Sequence, residues 1–216
     1  MNEKTGQQSP PVRISPGSAR LRIEHWWTRY EFLAPLEDEW EHVSKPVLTA
    51  WLIVFCLFLL YAFRSKGQSL FIDLVFLPIH EGGHLLFSYS GSQTLTVMGG
   101  TLLQLFVPLA IAVYFVFQRH LSGTAFAAFF FFENFLNVGT YMADAREQDL
   151  PLVTVGEGEG MHDWAYLFIK LGLINQDVFI WKTVRTLGWL GMLSVVVWLW
   201  WKARTATRPA EPTGMI

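Results

Sequence analysis

Long apolar runs without charged side chains constrain this chain more than any other feature of its sequence. Residues 46–63 contain no Asp, Glu, Lys or Arg, and a run of this length can cross the hydrocarbon core of a bilayer as an α-helix. Residues 95–117 form another uncharged run. Only 16% of the residues are charged, whereas soluble domains contain about 25%. The sequence therefore predicts an integral membrane protein.

Five apolar segments have the length expected of membrane-spanning helices. Because a backbone in hydrocarbon must satisfy its own hydrogen bonds, these segments are predicted to be helical. The predicted fold class is therefore all-α, a polytopic transmembrane helix bundle of about five spans. The predicted spans are residues 46–63, 68–90, 95–117, 121–143 and 183–201.

Polar segments flank a predicted transmembrane domain of residues 46–202. Residues 1–20 are rich in Pro, Gln and Ser and are predicted to form a disordered N-terminal tail. Residues 21–45 mix Trp, Tyr and Phe with charged side chains, which favours an amphipathic helix lying in the membrane interface. Residues 203–216 are rich in Thr and Pro and are predicted to form a disordered C-terminal tail.

Basic side chains near the span ends predict an orientation, since cytoplasmic loops carry an excess of Lys and Arg. With five spans, one side receives Arg64, Lys66, Arg119, Lys202, Arg204 and Arg208, and the other receives Lys45, Arg146, Lys182 and Arg185. The first side is the predicted cytoplasmic one. The N-terminus is then expected outside, in a protein that we expect in a bacterial inner membrane.

Charge and cysteine content exclude other classes of protein. A net charge of −2 provides no basic surface for nucleic acid, so no nucleic-acid partner is predicted. The single cysteine, Cys56, excludes an internal disulfide framework and a cysteine-based zinc cluster.

The second predicted span contains the H-E-x-x-H pattern His80-Glu81-Gly82-Gly83-His84. Ionisable side chains inside a span cost about 2.5–3.5 kcal/mol each on insertion scales, so their presence indicates a function. Histidines four residues apart lie on one face of a helix and can bind one metal ion. This ligand type favours Zn²⁺, with a third protein ligand and a position left for water. Glu81 can then move a proton from that water to a leaving amine.

The third zinc ligand has several candidates in the sequence. A polar stripe along the fourth predicted span ends at Asp144, whose carboxylate is our first choice. His162 is the rival, and Asp163 lies beside it in the same connection. All three are expected on the side of the membrane nearer to His84, so each can reach a shared site. The alternative to a metal is a buried polar network with a structural role.

Two acidic side chains within the predicted spans need separate explanations. Asp73 lies about two helical turns before His80 and can orient an imidazole, or it can pair with Arg64 or Lys66 near the membrane edge. Glu133 lies deep in an apolar run and therefore needs a partner, such as the neighbouring Asn134, or a proton.

Three further polar residues are candidates for supporting the site or binding substrate. Gln104 can form a hydrogen bond to a substrate strand or to another helix. Asn137 can donate to a substrate carbonyl or to a zinc-bound carboxylate, or it can connect two helices. Asp163 can support the metal ligands without binding the metal.

This combination of motifs resembles the site-2 protease family of intramembrane zinc metalloproteases. The resemblance covers roughly residues 68–144, with Gly99-Gly100 where that family places a Gly-containing segment. It implies a three-helix metalloprotease-like core, in which His80, His84 and Asp144 bind zinc and Glu81 is the catalytic base. The strings HEGGH and YMADAR also resemble those of a group of small bacterial membrane proteins.

The sequence thus predicts an integral membrane zinc metallopeptidase. Its expected partners are the lipid bilayer and a membrane-protein or peptide substrate, and no particular oligomeric state is predicted. One alternative is a different metal-dependent hydrolase that acts on a lipid or a small amide. The other alternative is a non-enzymatic metal-binding scaffold or a transporter.

Overall fold

The computed structural model describes residues 39–150 and 162–205. Within these ranges all the regular secondary structure is helical, which confirms the predicted all-α class. A single 3₁₀ turn, Ile174–Gln176, leads into the last helix. The helices are α1 (Lys45–Arg64), α2 (Asp73–Ser88), α3 (Gln93–Phe117), α4 (Leu121–Ala143), α5 (Asp163–Lys170) and α6 (Asp177–Thr205). The predictions for residues 1–20, and for most of 21–45 and 203–216, lie outside the described residues.

Four of the described helices are long and apolar enough to cross a membrane. They are α1, α3, α4 and α6, the last taken together with its preceding 3₁₀ turn. Four of the five predicted spans coincide with these helices. The last helix begins at Asp177 rather than at residue 183, because Lys182 separates the short apolar stretch of residues 178–181 from the longer apolar run.

Helix α2 is the exception, so the described residues contain four candidate spans where five were predicted. Its 16 residues extend about 24 Å, whereas the hydrocarbon core is about 30 Å thick. The chain turns after α1 at Lys66 and Gly67, both with positive φ angles of 52° and 90°. The Asp73 carboxylate accepts a hydrogen bond of 2.6 Å from the backbone N–H of Leu70, so the helix begins five residues after residue 68.

The chain leads into α2 and out of it at the same end of the bundle, the end where α4 terminates. Before α2, the Gly67 carbonyl oxygen accepts a hydrogen bond of 3.2 Å from Thr140, near the end of α4. After α2, the hydroxyls of Thr94 in α3 and Tyr166 in α5 lie 3.3 Å apart. Helix α5 is itself hydrogen-bonded to Tyr141 of α4. Helix α2 therefore enters and leaves the bundle at one end.

Because the chain enters and leaves α2 at the same end of the bundle, the basic side chains before and after α2 are grouped differently from the prediction. At the opposite end, the backbone N–H of Glu41 donates to the carbonyl oxygen of Arg119 at 2.9 Å, and Lys202 lies over the Trp40 ring. Helix α1 therefore begins at the end where α3 and α6 terminate. The grouping of Arg64 with Arg119 and Lys202 is wrong, because it counted α2 as a crossing. The orientation predicted from that grouping no longer follows.

Aromatic rings fill the core that joins α1 to α4. Phe55 and Phe129 are fully buried and stack with their ring centroids 4.3 Å apart. Less than one turn further along α4, a Cβ at Gly188 of α6 would lie 2.9 Å from the Phe132 carbonyl oxygen. The missing side chain lets the two backbones approach closely, as small residues do in membrane helix pairs. Helix α4 therefore packs against both α1 and α6.

Glycines also bring α2 into direct backbone contact with α3. A Cβ at Gly99 would lie 2.7 Å from the carbonyl oxygen of Gly83. A Cβ at Gly83 would in turn collide with the carbonyl oxygen of Gly99. This close approach places the buried face of α2, which carries the two motif histidines, against α3.

Candidate metal centre

Three side chains converge between α2 and the start of α5. The Nε2 atom of His80 lies 3.0 Å from Oδ2 of Asp163, and Nε2 of His84 lies 3.1 Å from the same oxygen. His80 and Asp163 are buried, and His84 is partly buried. Among the described residues these three form the group of His, Cys and acidic side chains that could hold a metal ion.

The spacing of these atoms suits a small tetrahedral ion. Zinc binds imidazole nitrogen and carboxylate oxygen at about 2.0–2.2 Å, so two ligand atoms at a tetrahedral angle lie about 3.3 Å apart. The distances of 3.0 and 3.1 Å from the Asp163 oxygen to the two nitrogens are close to that value. Two nitrogens and one oxygen leave the fourth position open.

A chain of side-chain amides determines which ring nitrogen of His80 is free. Asn134 Nδ2 donates to the carbonyl oxygen of Phe130 at 2.8 Å, so Oδ1 of the same amide faces Gln104. Gln104 Nε2 donates to that oxygen at 2.9 Å, and its Oε1 lies 2.9 Å from His80 Nδ1. Because this oxygen can only accept, His80 Nδ1 carries a hydrogen. The Nε2 lone pair then faces Asp163.

His84 is oriented in the same way by the backbone. Its Nδ1 lies 2.9 Å from the carbonyl oxygen of Thr96 in α3, which is an acceptor, so Nδ1 carries the hydrogen. The Nε2 atoms of both histidines and the Asp163 oxygen therefore meet as three acceptors. Acceptors at such distances repel one another unless a cation, either a metal ion or added protons, lies among them.

Gly100 of α3 leaves room beside this group. A Cβ built on Gly100 would lie 2.6 Å from Nε2 of both His80 and His84. Any larger residue would therefore occupy space next to both candidate ligand atoms. In the sequence only the family resemblance singled out this glycine, because its contact with the histidines depends on how α2 crosses α3.

Asp163 is held in its ionised, metal-binding form by its surroundings. Burial acts to raise the pKa of the Asp163 carboxyl, but donation from the His80 and His84 imidazoles, when protons lie between these groups, outweighs burial and places the pKa below its usual value. The backbone N–H of Asp163 donates to the Tyr141 hydroxyl at 3.3 Å, which fixes the start of α5 against α4. Asp163 therefore occupies the place predicted for Asp144.

Asp144 lies at the end of α4, outside the group formed by His80, His84 and Asp163. Its Oδ1 accepts a hydrogen bond of 2.9 Å from the backbone N–H of Asp149. Its Oδ2 accepts one of 3.1 Å from the N–H of Leu150 and lies 3.3 Å from His162 Nε2. The carboxylate thus organises the turn after α4, and we replace it with Asp163 as the candidate third ligand.

His162, the rival candidate, is fully buried beside the site and caps α5. Its Nδ1 accepts a hydrogen bond of 3.2 Å from the backbone N–H of Ala165, and its ring packs on Tyr141 with the centroids 4.3 Å apart. Burial lowers the pKa of the His162 imidazole, and the Asp144 carboxylate opposes that effect. His162 therefore supports Asp163 from the preceding position.

Of the remaining predicted site residues, Glu81 and Gln104 lie beside the three candidate ligands, and Asn137 and Asp73 lie outside that group. Glu81 follows His80 in α2 and is half-buried at the rim of the site. Gln104 connects His80 of α2 to Asn134 of α4, which supports the interpretation that it binds another helix. Asn137 and Asp73 contact each other, and neither belongs to the group of three.

Sequence reasoning considered Asn134 only as a neighbour of Glu133 and missed its place in the amide chain. The available signal was its position, since an amide so close to the apolar run Phe129-Phe130-Phe131-Phe132, inside a predicted span, needs a hydrogen-bond partner. The identity of that partner depends on the packing of α3 against α4. Residue spacing alone does not contain that information.

Replacing the amide that orients His80 should weaken metal binding without removing a ligand. For Gln104→Leu we expect zinc affinity to fall by about 10–100-fold, the usual effect of losing a partner that orients a ligand. Leu102→Ala, at a half-exposed position on the same helix, serves as the control and should bind zinc normally. A competition titration with a fluorescent zinc chelator measures both variants, and equal affinities would contradict the assigned role.

Comparison with known proteins identifies no relative of this chain. Neither the protein-family models, nor the curated proteins, nor the solved structures contain a match. The resemblance to site-2 proteases is therefore a prediction from the sequence motifs in residues 68–144 alone, and functional assignment depends on the geometry of the site.

Proposed function

We propose that this protein is an integral membrane zinc metallopeptidase in which His80, His84 and Asp163 bind the ion. The observation that carries the proposal is the convergence of three hydrogen-bond acceptors, the two histidine Nε2 atoms and the Asp163 oxygen. The Nδ1–H group of each imidazole already donates to another acceptor, Gln104 or the Thr96 carbonyl oxygen. Two imidazoles and one carboxylate form the protein ligand set of several catalytic zinc sites, in which the fourth position holds water or substrate.

Glu81 is the proposed general base. When bound, zinc would lower the pKa of a water molecule and polarise a substrate carbonyl. Glu81 is adjacent to His80 and half-buried, so it combines access to substrate with a position beside the ligands. Its carboxylate would accept the proton of the attacking water and deliver it to the leaving amine. Gly82 has no side chain to block the approach of a substrate backbone.

The surroundings of Glu81 favour a substrate in or near the membrane. Leu74 and Leu85, which lie seven residues before and four residues after Glu81, are 63% and 61% exposed. These spacings place all three side chains on one face of α2. The proposed base therefore stands at the border between the buried ligands and an apolar surface, which supports access for a membrane-embedded or membrane-proximal peptide.

Removing the base should separate catalysis from metal binding. For Glu81→Gln we expect peptide hydrolysis to fall by about 10²–10⁴-fold, the usual contribution of a general base, while the zinc content is unchanged. Glu147→Gln, at an exposed position, is the matched control and should retain full activity. The measurement is cleavage of a helical membrane peptide by detergent-purified protein, together with elemental analysis of the same sample.

Other outcomes of that experiment would replace the proposal. Cleavage of lipids or small amides with membrane peptides left intact would identify a different metal-dependent hydrolase. Zinc flux into proteoliposomes without any hydrolysis would identify a transporter. Zinc binding without hydrolysis or flux would leave a non-enzymatic scaffold.

A further inference from the structure

A second polar contact, separate from the candidate metal centre, links α2 to α4. Asp73, the first residue of α2, contacts Glu133 in the middle of α4 and Asn137 one turn later. Glu133 is completely buried, with 0% of its surface exposed. Two carboxyl groups therefore face each other inside the bundle, and the proposed peptidase chemistry uses neither of them.

Most of the oxygens in this pair have no donor. Both carboxyl oxygens of Glu133 and Oδ1 of Asp73 are buried and have no hydrogen-bond partner among the described residues. Asn134, the predicted partner of Glu133, is engaged with Gln104 and with its own helix. A buried oxygen without a donor is costly, so three such oxygens at one place require an explanation.

Basic side chains do not neutralise the pair within the described ranges, because every ion pair found there involves other residues. From its own segment, Asp73 receives the Leu70 N–H, and from α4 it faces Glu133 and Asn137. Arg185 of α6 lies instead against Gly67 and Gly139. Within the described ranges, no ion pair therefore offsets the contact between the two carboxyls.

Two ionised carboxylates cannot face each other at low dielectric without strong repulsion. One retained proton removes one charge and turns the contact between two acceptors into a hydrogen bond. We propose that Asp73 and Glu133 share one proton, and that this acid pair fastens the metal-bearing helix α2 to α4.

The acid pair makes the attachment of α2 depend on pH. The folded protein retains a proton that the two separated carboxyls of an unfolded chain release at neutral pH. The stability that the pair contributes is therefore present at lower pH and is lost as the pH rises. When that proton leaves, two like charges face each other, and the start of α2 should separate from α4.

Infrared spectroscopy of the full-length protein in detergent tests the shared proton directly. We expect wild type at neutral pH to show the C=O stretch of a protonated carboxyl group. Glu133→Gln should lose this band, because the Asp73 carboxylate that remains accepts the Leu70 N–H and can stay ionised. In Asp73→Asn the fully buried Glu133 should keep its proton, since burial disfavours its charged form, but the band should shift in frequency because the hydrogen-bond acceptor changes from a carboxylate to an amide. Asp144→Asn should retain the band. Helix content from circular dichroism confirms that each variant is folded.

A wild type without the band would overturn the proposal, and so would a band that survives Glu133→Gln or that keeps its frequency in Asp73→Asn. Wild type without the band, but with a melting temperature raised by sodium or calcium, would assign the site to a cation instead. The melting temperature also provides a second test. It should fall from neutral to alkaline buffer in wild type more than in the Asp73→Asn/Glu133→Gln double variant, and equal falls would contradict the shared proton.

Discussion

Gly100→Ala should abolish zinc binding while the helix bundle remains folded. The added methyl group would lie 2.6 Å from Nε2 of both His80 and His84, so the two rings could no longer meet at one ion. We expect the zinc affinity to fall by more than the roughly 100-fold effect of losing a supporting residue. A competition titration with a zinc chelator measures the loss.

Gly82→Ala is the matched control for that substitution. A Cβ on Gly82 would meet Leu103 at an ordinary van der Waals distance of 3.9 Å. Both substitutions raise helix propensity by about 1 kcal/mol, so a difference between them reports on the site rather than on helix formation. Zinc affinity equal to that of wild type in Gly100→Ala would show that the ion does not lie between the two Nε2 atoms.

A second large loss of zinc affinity is expected for Asp163→Asn. The matched control is Asp144→Asn. Both changes remove a carboxylate and keep its shape, but only Asp163 contacts the two histidines. For Asp163→Asn we expect at least about a 100-fold loss of zinc affinity, since a lost ligand should cost more than a lost orienting partner. For Asp144→Asn we expect at most about a tenfold loss, because the amide oxygen can still accept from the turn.

The same titration decides between the two aspartates. The reverse order, with Asp144→Asn losing the metal and Asp163→Asn retaining it, would restore the ligand set implied by the resemblance to site-2 proteases. Equal losses would indicate that both residues act only through the position of α5. Either result would contradict the assignment of Asp163 as the third ligand.

Local spacing was sufficient to predict part of the site. His80 and His84 lie one helical turn apart, so any helix through this segment places them on one face. The third ligand depends on the path of the chain after α4. Asp144 uses its carboxylate on nearby backbone N–H groups, and the later start of α5 brings Asp163 to the histidines.

The number of spans could not be read from hydropathy for a similar reason. Residues 68–90 are apolar enough to suggest a crossing, but apolarity does not report where the two ends of a segment lie. The turn at Lys66 and Gly67 and the late start of the helix at Asp73 leave a short helix that returns to the same end. The other four spans contain long uninterrupted helices, and their positions were predicted well.

The most direct test of the central claim is the metal content of the purified wild-type protein. After loading with zinc and washing in detergent, elemental analysis should find about one zinc ion per chain, the number expected for one three-ligand catalytic site. His80→Ala, treated in the same way, should contain almost none. Wild type without stoichiometric zinc, or His80→Ala with as much zinc as wild type, would contradict the account.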